Sequence, residues 1–392
     1  MATYNLCHFS HAEALKHIAR EHLIALLAPH AGFFSGRGVA IPSAASRQSI
    51  DYEGLVEIFM TPDIDTPKDL ADALFFINEM ATTEGMACLL EEAERLKIDI
   101  IGVPAPTPAD VALQMWLKNR DVLERKHAEQ FLTNPRSFES YQTTLSPVPP
   151  FTLPSAATLK ALEGDLNGWF EQKKRGRNAR VFVFPRGSAV LFLVRHGDPY
   201  KREGTIAEGG ESSSVYYWPE KFDVLVCVPA EGEIRVHAGS KGERTLCRTM
   251  FGRHLFGSDD FFASDRRYTL EPLRERGEAA LACGDVDGME SVVLTEVQFF
   301  WGGEQEEKEV RKAENIFAAY AAREAHMPTK APIIKASFRV VFSDSKTART
   351  VTIRTPNVAQ YTRDSDSGII ERWLALRGFV AQQKAQAHED AA

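Results

Sequence analysis

Two neighbouring apolar runs in the middle of the chain carry acidic and basic side chains whose types could hold a metal ion. Asp223 lies within the run 222–228, and Glu233 and Arg235 lie within the run 233–237. Two carboxylates on adjacent strands can bind Mg²⁺, and the ion would stabilise the negative charge that develops on a phosphate during cleavage. These residues are therefore candidates for metal-dependent phosphoester hydrolysis, with Mg²⁺ as the cofactor that this interpretation requires.

The arrangement resembles that of metal-dependent nucleases, in which an Asp on one strand is followed by Glu-x-Lys on the next. Arg235 stands where those enzymes have lysine, and an arginine keeps its proton and cannot serve as a base. A short turn between the runs would also pair Asp223 nearer to His237 than to Glu233. The alternative, which we favour, is that Glu233 and Arg235 face solvent while Ile234 faces the core.

The residues 193–197, Leu-Val-Arg-His-Gly, offer a different phosphate chemistry. They resemble the signature of the histidine phosphatases, and this resemblance implies that His196 accepts the phosphoryl group while Arg195 holds the phosphate. The alternative, which we favour, is a polar turn over 195–199 that follows a buried strand, because a short motif carries little information without its structural context.

A basic run followed by aromatic residues suggests contact with nucleic acid, because phosphates pair with Lys and Arg and bases stack on aromatic faces. The candidate nucleic-acid-binding residues are Lys173, Lys174, Arg175, Arg177, Tyr217 and Trp218. The alternative is a solvated helix end, since positive side chains stabilise the C-terminus of the helix that precedes them.

The sequence indicates no resident metal site. Cys7, His8 and His11 are closely spaced ligand types, but a zinc site normally needs a second pair of ligands, and none follows. The five cysteines are scattered and odd in number, which favours a reducing compartment over a disulfide framework.

Composition excludes some classes of protein. The formal net charge of -8 and the pI of about 5.8 argue against a broad basic face, although a local basic groove remains compatible with them. No apolar run approaches the length of a membrane span, which is about 20 residues, and residues 1–7 lack the pattern of a secretory leader. We therefore expect a cytoplasmic protein without a membrane partner.

Apolar periodicity and punctuation by proline and glycine define the expected elements. We predict a mostly helical domain over 1–145, a proline-rich linker over 146–154, a β-rich central domain over 155–303, a charged helix over 304–325 followed by a ββα unit ending at 381, and a disordered tail over 382–392. Alternation on either side of a glycine-bearing turn predicts a hairpin over 222–237.

The fold class that these elements predict is α+β, with a helical N-terminal domain, a mixed β-rich central domain and a small ββα C-terminal unit. No catalytic constellation is complete, so the first functional hypothesis is a non-catalytic macromolecular interaction protein. It would bind a protein partner and, within a nucleic-acid-processing assembly, nucleic acid. The alternative is a phosphoester hydrolase that uses Asp223, Glu233, Arg235 and His196.

Overall fold

Apolar residues at helical spacing form the buried sides of the helices in the first part of the chain. The computed structural model describes residues 6–63, 65–101, 105–206, 209–362 and 366–381. Its internal contacts divide the chain into two compact units, Met1–Gln130 and Phe131–Ala392. The predicted α+β class with a helical N-terminal region is confirmed, since the first unit is helical and the second contains a large antiparallel sheet.

Among the described residues, the first unit contains seven α-helices. They are α1 Ala12–Leu15, α2 Arg20–Leu27, α3 Ala31–Gly36, α4 Tyr52–Met60, α5 Lys68–Met80, α6 Thr83–Leu96 and α7 Pro108–Glu129. Thr107 caps α7 by accepting a hydrogen bond from the amide of Asp110, and Pro108 occupies the first turn, where its missing N–H is not needed. Leu74, Ile77 and Leu113 are buried in the common core of α5 and α7.

The second unit is organised by a ten-stranded sheet whose neighbouring strands all run antiparallel. Its strands, in spatial order, are β2 Arg180–Arg186, β3 Ala189–Gly197, β6 Glu220–Val228, β7 Glu233–His237, β1 Ser137–Gln142, β12 Val358–Gln360, β11 Ser345–Arg354, β10 Ile333–Phe342, β8 Met289–Gly302 and β9 Glu307–Lys312. A separate hairpin joins β4 Lys201–Ile206 to β5 Ser212–Tyr217.

Helices cover this sheet. They are α8 Ala156–Gln172, α9 Lys241–Phe256, α10 Pro272–Glu275, α11 Ile316–Ala321 and α12 Ser367–Leu376. The apolar sides of α8 and α9 share a core with β3, β6 and β7 that includes Leu166 and Phe251. In the other half of the sheet, Trp373 of α12 packs edge-on against Phe338 of β10, with ring centroids 5.3 Å apart.

The predicted domain boundaries differ from the organisation of the sheet. Strand β1 lies within the segment 1–145, which we expected to be helical, yet it pairs with both β7 and β12. The strands expected in separate central and C-terminal units therefore belong to one sheet. Local patterns identify strands but not their partners, because the pairing of β1 with β12 joins residues more than 200 positions apart.

The helix predicted over 304–325 is wrong in its first half. That segment contains β9 and only a short helix, α11. Strand β9 has the sequence Glu-Lys-Glu-Val-Arg-Lys and forms an edge of the sheet. Charged side chains are common on edge strands because they discourage pairing with other molecules, and the same residues also suit an exposed helix. The linker 146–154 contains neither helix nor strand, and the tail lies outside the described residues.

Among the described residues, no helix combines the length and the apolar character that crossing a bilayer requires.

Candidate functional site

The strand register determines where the predicted hydrolase residues point. On β6 and β7, Val226 lies opposite Arg235 and Val228 lies opposite Glu233. Directly opposed residues point to the same face of a sheet, and successive residues alternate between faces. Asp223 therefore points to one face while Glu233 and Arg235 point to the other, so the structure does not bring the expected pair of carboxylates to one Mg²⁺ ion.

Glu233 and Arg235 are not on a solvent face either. Both are buried, and Arg235 Nε donates to Glu233 Oε1 over 2.9 Å. Arg267 Nη2 lies 2.9 Å from Glu233 Oε2, and Arg235 also pairs with Glu371 of α12. Burial would raise the pKa of Glu233, but the charges of Arg235 and Arg267 outweigh it and hold that pKa below its ordinary value. The expectation of solvent exposure was therefore wrong, because Glu371 of α12 and Arg267 pair with the two side chains on this face.

Arg195 and His196 are successive residues of β3, so their side chains point to opposite faces of the sheet. His196 lies opposite Lys221 on β6 and shares its face with Asp223, whereas Arg195 points to the other face and lies 3.6 Å from Glu220. The His196 ring is 2% exposed and stacks on Phe170 of α8 with ring centroids 4.1 Å apart. The two residues that the phosphatase resemblance pairs therefore do not converge on one phosphate.

The face that carries His196 assembles a cluster that the sequence did not indicate. The side chains of His196, Asp223 and Glu243 are buried, and each offers a ligand-type atom within 4.8 Å of the others. Strand β3 supplies the histidine, β6 supplies the aspartate, and the first turn of α9 supplies the glutamate. His196 Nε2 lies 3.1 Å from Asp223 Oδ2.

Glu243 is positioned by the start of its own helix. Ser240 caps α9 by accepting a hydrogen bond from the Glu243 amide. Lys221 Nζ lies 2.6 Å from Glu243 Oε1, and Arg175 pairs with the same oxygen. Burial opposes ionisation, but the hydrogen bonds from Lys221, Ser240 and Arg175 lower the pKa of Glu243 to about 2. This carboxylate is thus negatively charged inside the unit.

A neighbouring thiol shows the effect of this negative charge. Cys247 lies one helical turn after Glu243 and is buried. Burial, together with the charges of Asp223 and Glu243, raises the pKa of the Cys247 thiol well above its ordinary value. Cys247 is therefore a protonated core residue rather than a reactive thiolate.

The predicted basic run is only partly available for binding. Lys173 and Lys174 are exposed. Arg175 is directed inward to Glu243, and Asp198 lies 3.6 Å from it. Arg177 is exposed but pairs with Glu171 over 2.6 Å. The run therefore contributes two exposed lysines outside ion pairs with Glu171 or Glu243, and one of them, Lys173, lies over the Trp169 ring at 5.7 Å.

The β4–β5 hairpin presents aromatic side chains beside this run. Tyr200, Tyr216 and Trp218 are each about half exposed, at 52%, 54% and 47%. The ring centroid of Tyr200 lies 6.0 Å from that of Tyr216 and 4.8 Å from that of Trp218. Arg202 lies directly opposite Tyr216 in the register and points to the same face. We call Tyr200, Arg202, Tyr216 and Trp218 the hairpin face.

Trp218 connects the hairpin face to the basic run. Its indole Nε1 donates to the carbonyl oxygen of Lys174 over 3.2 Å. Gly176 has a φ of 81° and lies against the indole ring, so a side chain there would be strained. Tyr217, which the sequence analysis proposed as a binding residue, instead points to the opposite face and donates its hydroxyl to Glu203 over 2.7 Å.

Several residues of these two sites escaped prediction. Glu243 and Lys221 are separated by 22 positions and meet only because α9 folds back on the sheet. The alternation within 200–218 places aromatic and basic side chains on one face of a hairpin. That signal could have identified Tyr200, Arg202 and Tyr216.

No protein-family model matches the chain, and a search of curated proteins finds no significant relative.

Proposed function

We propose that this protein is a non-catalytic interaction protein that binds single-stranded nucleic acid across its hairpin face. The observation that carries the proposal is the composition of that face. Along β4, β5 and the residues that flank them, the described positions pointing to this side are Tyr200, Arg202, Gly204, Ile206, Ser212, Ser214, Tyr216 and Trp218. They include three aromatic residues and one cation but no carboxylate.

The chemistry of this face suits a flexible strand of bases. Every base has an aromatic face, so half-exposed tyrosine and tryptophan rings can stack on bases without reading their sequence. Arg202 can pair with a phosphate, and its guanidinium can also stack on a base. Lys173 and Lys174, which are exposed next to Trp218, extend the positive charge beyond the hairpin.

The charge of the whole chain makes the location of these cations important. With a formal net charge of -8, most of the surface repels a polyanion, and binding depends on a local positive field. A protein ligand would also find an aromatic surface here, but the absence of carboxylates from the described positions of the hairpin face favours the polyanion.

Fluorescence anisotropy of a labelled oligonucleotide of about 16 nucleotides tests the proposal. Replacing Tyr216 by alanine should weaken binding about 5- to 150-fold, because one base–aromatic stack contributes about 1–3 kcal/mol. Tyr217→Phe is the matched control, since Tyr217 is on the same strand but points away, and it should bind like the wild type.

Equal affinity of the Tyr216→Ala and wild-type proteins would contradict the proposal. Absence of binding at low salt would also contradict it and would assign the hairpin face to a protein partner. Repeating the titration with Mg²⁺ and examining the oligonucleotide on a gel tests the alternative: metal-dependent cleavage that Asp223→Asn abolishes would instead indicate a hydrolase.

A further inference from the structure

The cluster of His196, Asp223 and Glu243 has more hydrogen-bond acceptors than donors. His196 Nδ1 lies 2.9 Å from the carbonyl oxygen of Gly197, which can only accept a hydrogen bond, so Nδ1 carries the ring proton. In the neutral ring, Nε2 then presents a lone pair to Asp223 Oδ2, which lies 3.1 Å away and is also an acceptor. Either a second proton or another cation must lie between these two atoms.

Two further oxygens of the cluster point to the same conclusion. Asp223 Oδ1 and Glu243 Oε2 are buried and have no hydrogen-bond partner. Their side chains are 1% and 0% exposed. Buried polar atoms normally have a partner, and one that lacks a partner is a sign of a missing ligand or water.

The cations already present do not meet this need. Lys221 and Arg175 both contact Glu243 Oε1 and leave Oε2 without a partner. Gly239 leaves room for the Lys221 ammonium group beside this carboxylate, because a Cβ atom at that position would lie 2.4 Å from Lys221 Nζ and 3.2 Å from Glu243 Oε2. Lys221 and Arg175 therefore leave one buried oxygen of Glu243 without a hydrogen-bond partner.

We propose that His196 Nε2, Asp223 and Glu243 bind a divalent metal ion. Ligand atoms that are each about 2.1 Å from an ion lie about 3.0–3.4 Å apart at ordinary coordination angles, and the 3.1 Å separation of Nε2 from Asp223 Oδ2 fits that range. One imidazole and two carboxylates suit Zn²⁺ or Mn²⁺ better than Mg²⁺, which prefers oxygen ligands. The bond from Nδ1 to the Gly197 carbonyl orients the ring as in other metal-bound histidines.

The burial of all three ligands gives the ion a structural role. It joins the first turn of α9 to β3 and β6, which are otherwise held together by apolar contacts and by the pairing of Glu243 with Lys221 and Arg175. The inference does not depend on nucleic-acid binding, since the cluster and the hairpin face share no residue.

Titration calorimetry of the EDTA-treated full chain with ZnCl₂, and separately with MnCl₂, tests the metal site. We expect one ion per chain with at least one of the two metals. Asp223→Asn keeps the shape of the side chain and should weaken binding at least about 100-fold, since even the partners that orient metal ligands change affinity 10- to 100-fold. His237→Gln is the matched control: His237 lies on the adjacent β7 and contacts the carbonyl of Ser137, so it should bind like the wild type.

Two further measurements separate the metal site from an ion-pair cluster. Saturating metal should raise the unfolding temperature of the wild type by about 5–10 °C at 100 times the dissociation constant and leave Asp223→Asn unchanged. Lys221→Met should bind at least as tightly as the wild type, because an ammonium group no longer competes for Glu243.

The proposal is overturned if neither the wild type nor Lys221→Met binds either metal, or if Asp223→Asn binds as well as the wild type. The first result would mean that a proton, rather than a metal ion, lies between His196 Nε2 and Asp223 Oδ2.

Discussion

Asp223 and Glu233 lie on adjacent strands of one sheet and point to its opposite faces. Asp223 belongs to the face covered by α8 and α9, where it contacts His196. Glu233 belongs to the opposite face, where its partners are Arg235 and Arg267. The sheet therefore separates two buried polar clusters that share no partner among the described residues, and each can be altered without direct effect on the other.

Arg235 is expected to be one of the most sensitive residues for stability. Its replacement by methionine removes a cation from both Glu233 and Glu371 and leaves Arg267 to neutralise the buried carboxylate of Glu233. We expect the free energy of unfolding to fall by about 3–5 kcal/mol in urea denaturation. The control Arg195→Met disrupts a half-exposed pair with Glu220 and a contact over the Phe182 ring, and it should cost about 0–1 kcal/mol. A similar loss in both variants would show that the Arg235 network does not stabilise the fold.

The stability of the second unit should depend on pH through Glu243. Its pKa is about 2 in the folded protein against an ordinary value of 4.5. A carboxyl whose folded pKa is lowered contributes stability that is fully present above about pH 4.5 and is lost as the pH falls towards 2. Glu243→Gln should therefore flatten the stability profile between those pH values, while Glu290→Gln, at an exposed position on β8, should not. Thermal unfolding at several pH values measures the stability profile of each variant. Equal slopes for Glu243→Gln and Glu290→Gln would contradict the assignment of the pH dependence to Glu243.

Two glycines on either side of the α8–β3 packing should respond oppositely to alanine. A Cβ atom at Gly197 would collide with the backbone oxygen of Arg175, so Gly197→Ala should destabilise the protein by about 1–3 kcal/mol. At Gly164, within α8, no atom lies within 4 Å of the added carbon. Gly164→Ala should stabilise by about 0.5–1 kcal/mol because glycine is unfavourable in a helix. Chemical denaturation measures both effects, and an unchanged Gly197→Ala protein would contradict the close approach to Arg175.

If nucleic acid binds the hairpin face, Arg202 should contribute to the salt dependence of binding. Each phosphate contact with a single strand adds about 0.7 to the slope of log affinity against log salt. Arg202→Gln should therefore reduce the slope by about 0.7, whereas Lys201→Gln, on the opposite face of the hairpin, should leave it almost unchanged. Anisotropy titrations at four or more salt concentrations give these slopes. A greater change for Lys201 would place the ligand on the other face.

In the first unit, replacing the carboxylate of Asp110 should reduce stability strongly. No sequence pattern marked this residue. It is 4% exposed and accepts hydrogen bonds from the amide of Ala19 and from Gln114 Nε2, both over 3.0 Å, while His22 Nδ1 lies 2.9 Å away. Asp110→Ala removes the acceptor of the Ala19 amide and one of the two acceptors of Gln114 Nε2, so it should cost about 1–3 kcal/mol.

Asp69→Ala is the control for Asp110, because Asp69 is exposed and pairs only loosely with Arg120 over 3.4 Å. It should change stability by no more than about 0.5 kcal/mol. Proteolysis or hydrogen exchange of the first unit reports both variants, and equal protection would contradict a structural role for Asp110.

Elements with strong local signals were predictable from the sequence. The hairpin expected over 222–237 is confirmed as β6 and β7, because alternation and a glycine at the turn act locally. The start of α8 follows an equally local rule, since Ser155 caps its first turn. Strand β9 was mistaken for a helix because its charged residues suit both an edge strand and an exposed helix.

By itself, the sequence determined the α+β class, the hairpin that carries Asp223, and the neighbourhood of basic and aromatic residues before β6. These features depend on periodicity and on turn residues, which act over a few positions. Only the tertiary structure decided that Asp223 meets His196 and Glu243 rather than Glu233. The strand register and the packing of α9 against the sheet determine which residues Asp223 contacts. Both depend on burial and long-range pairing, which no local pattern encodes.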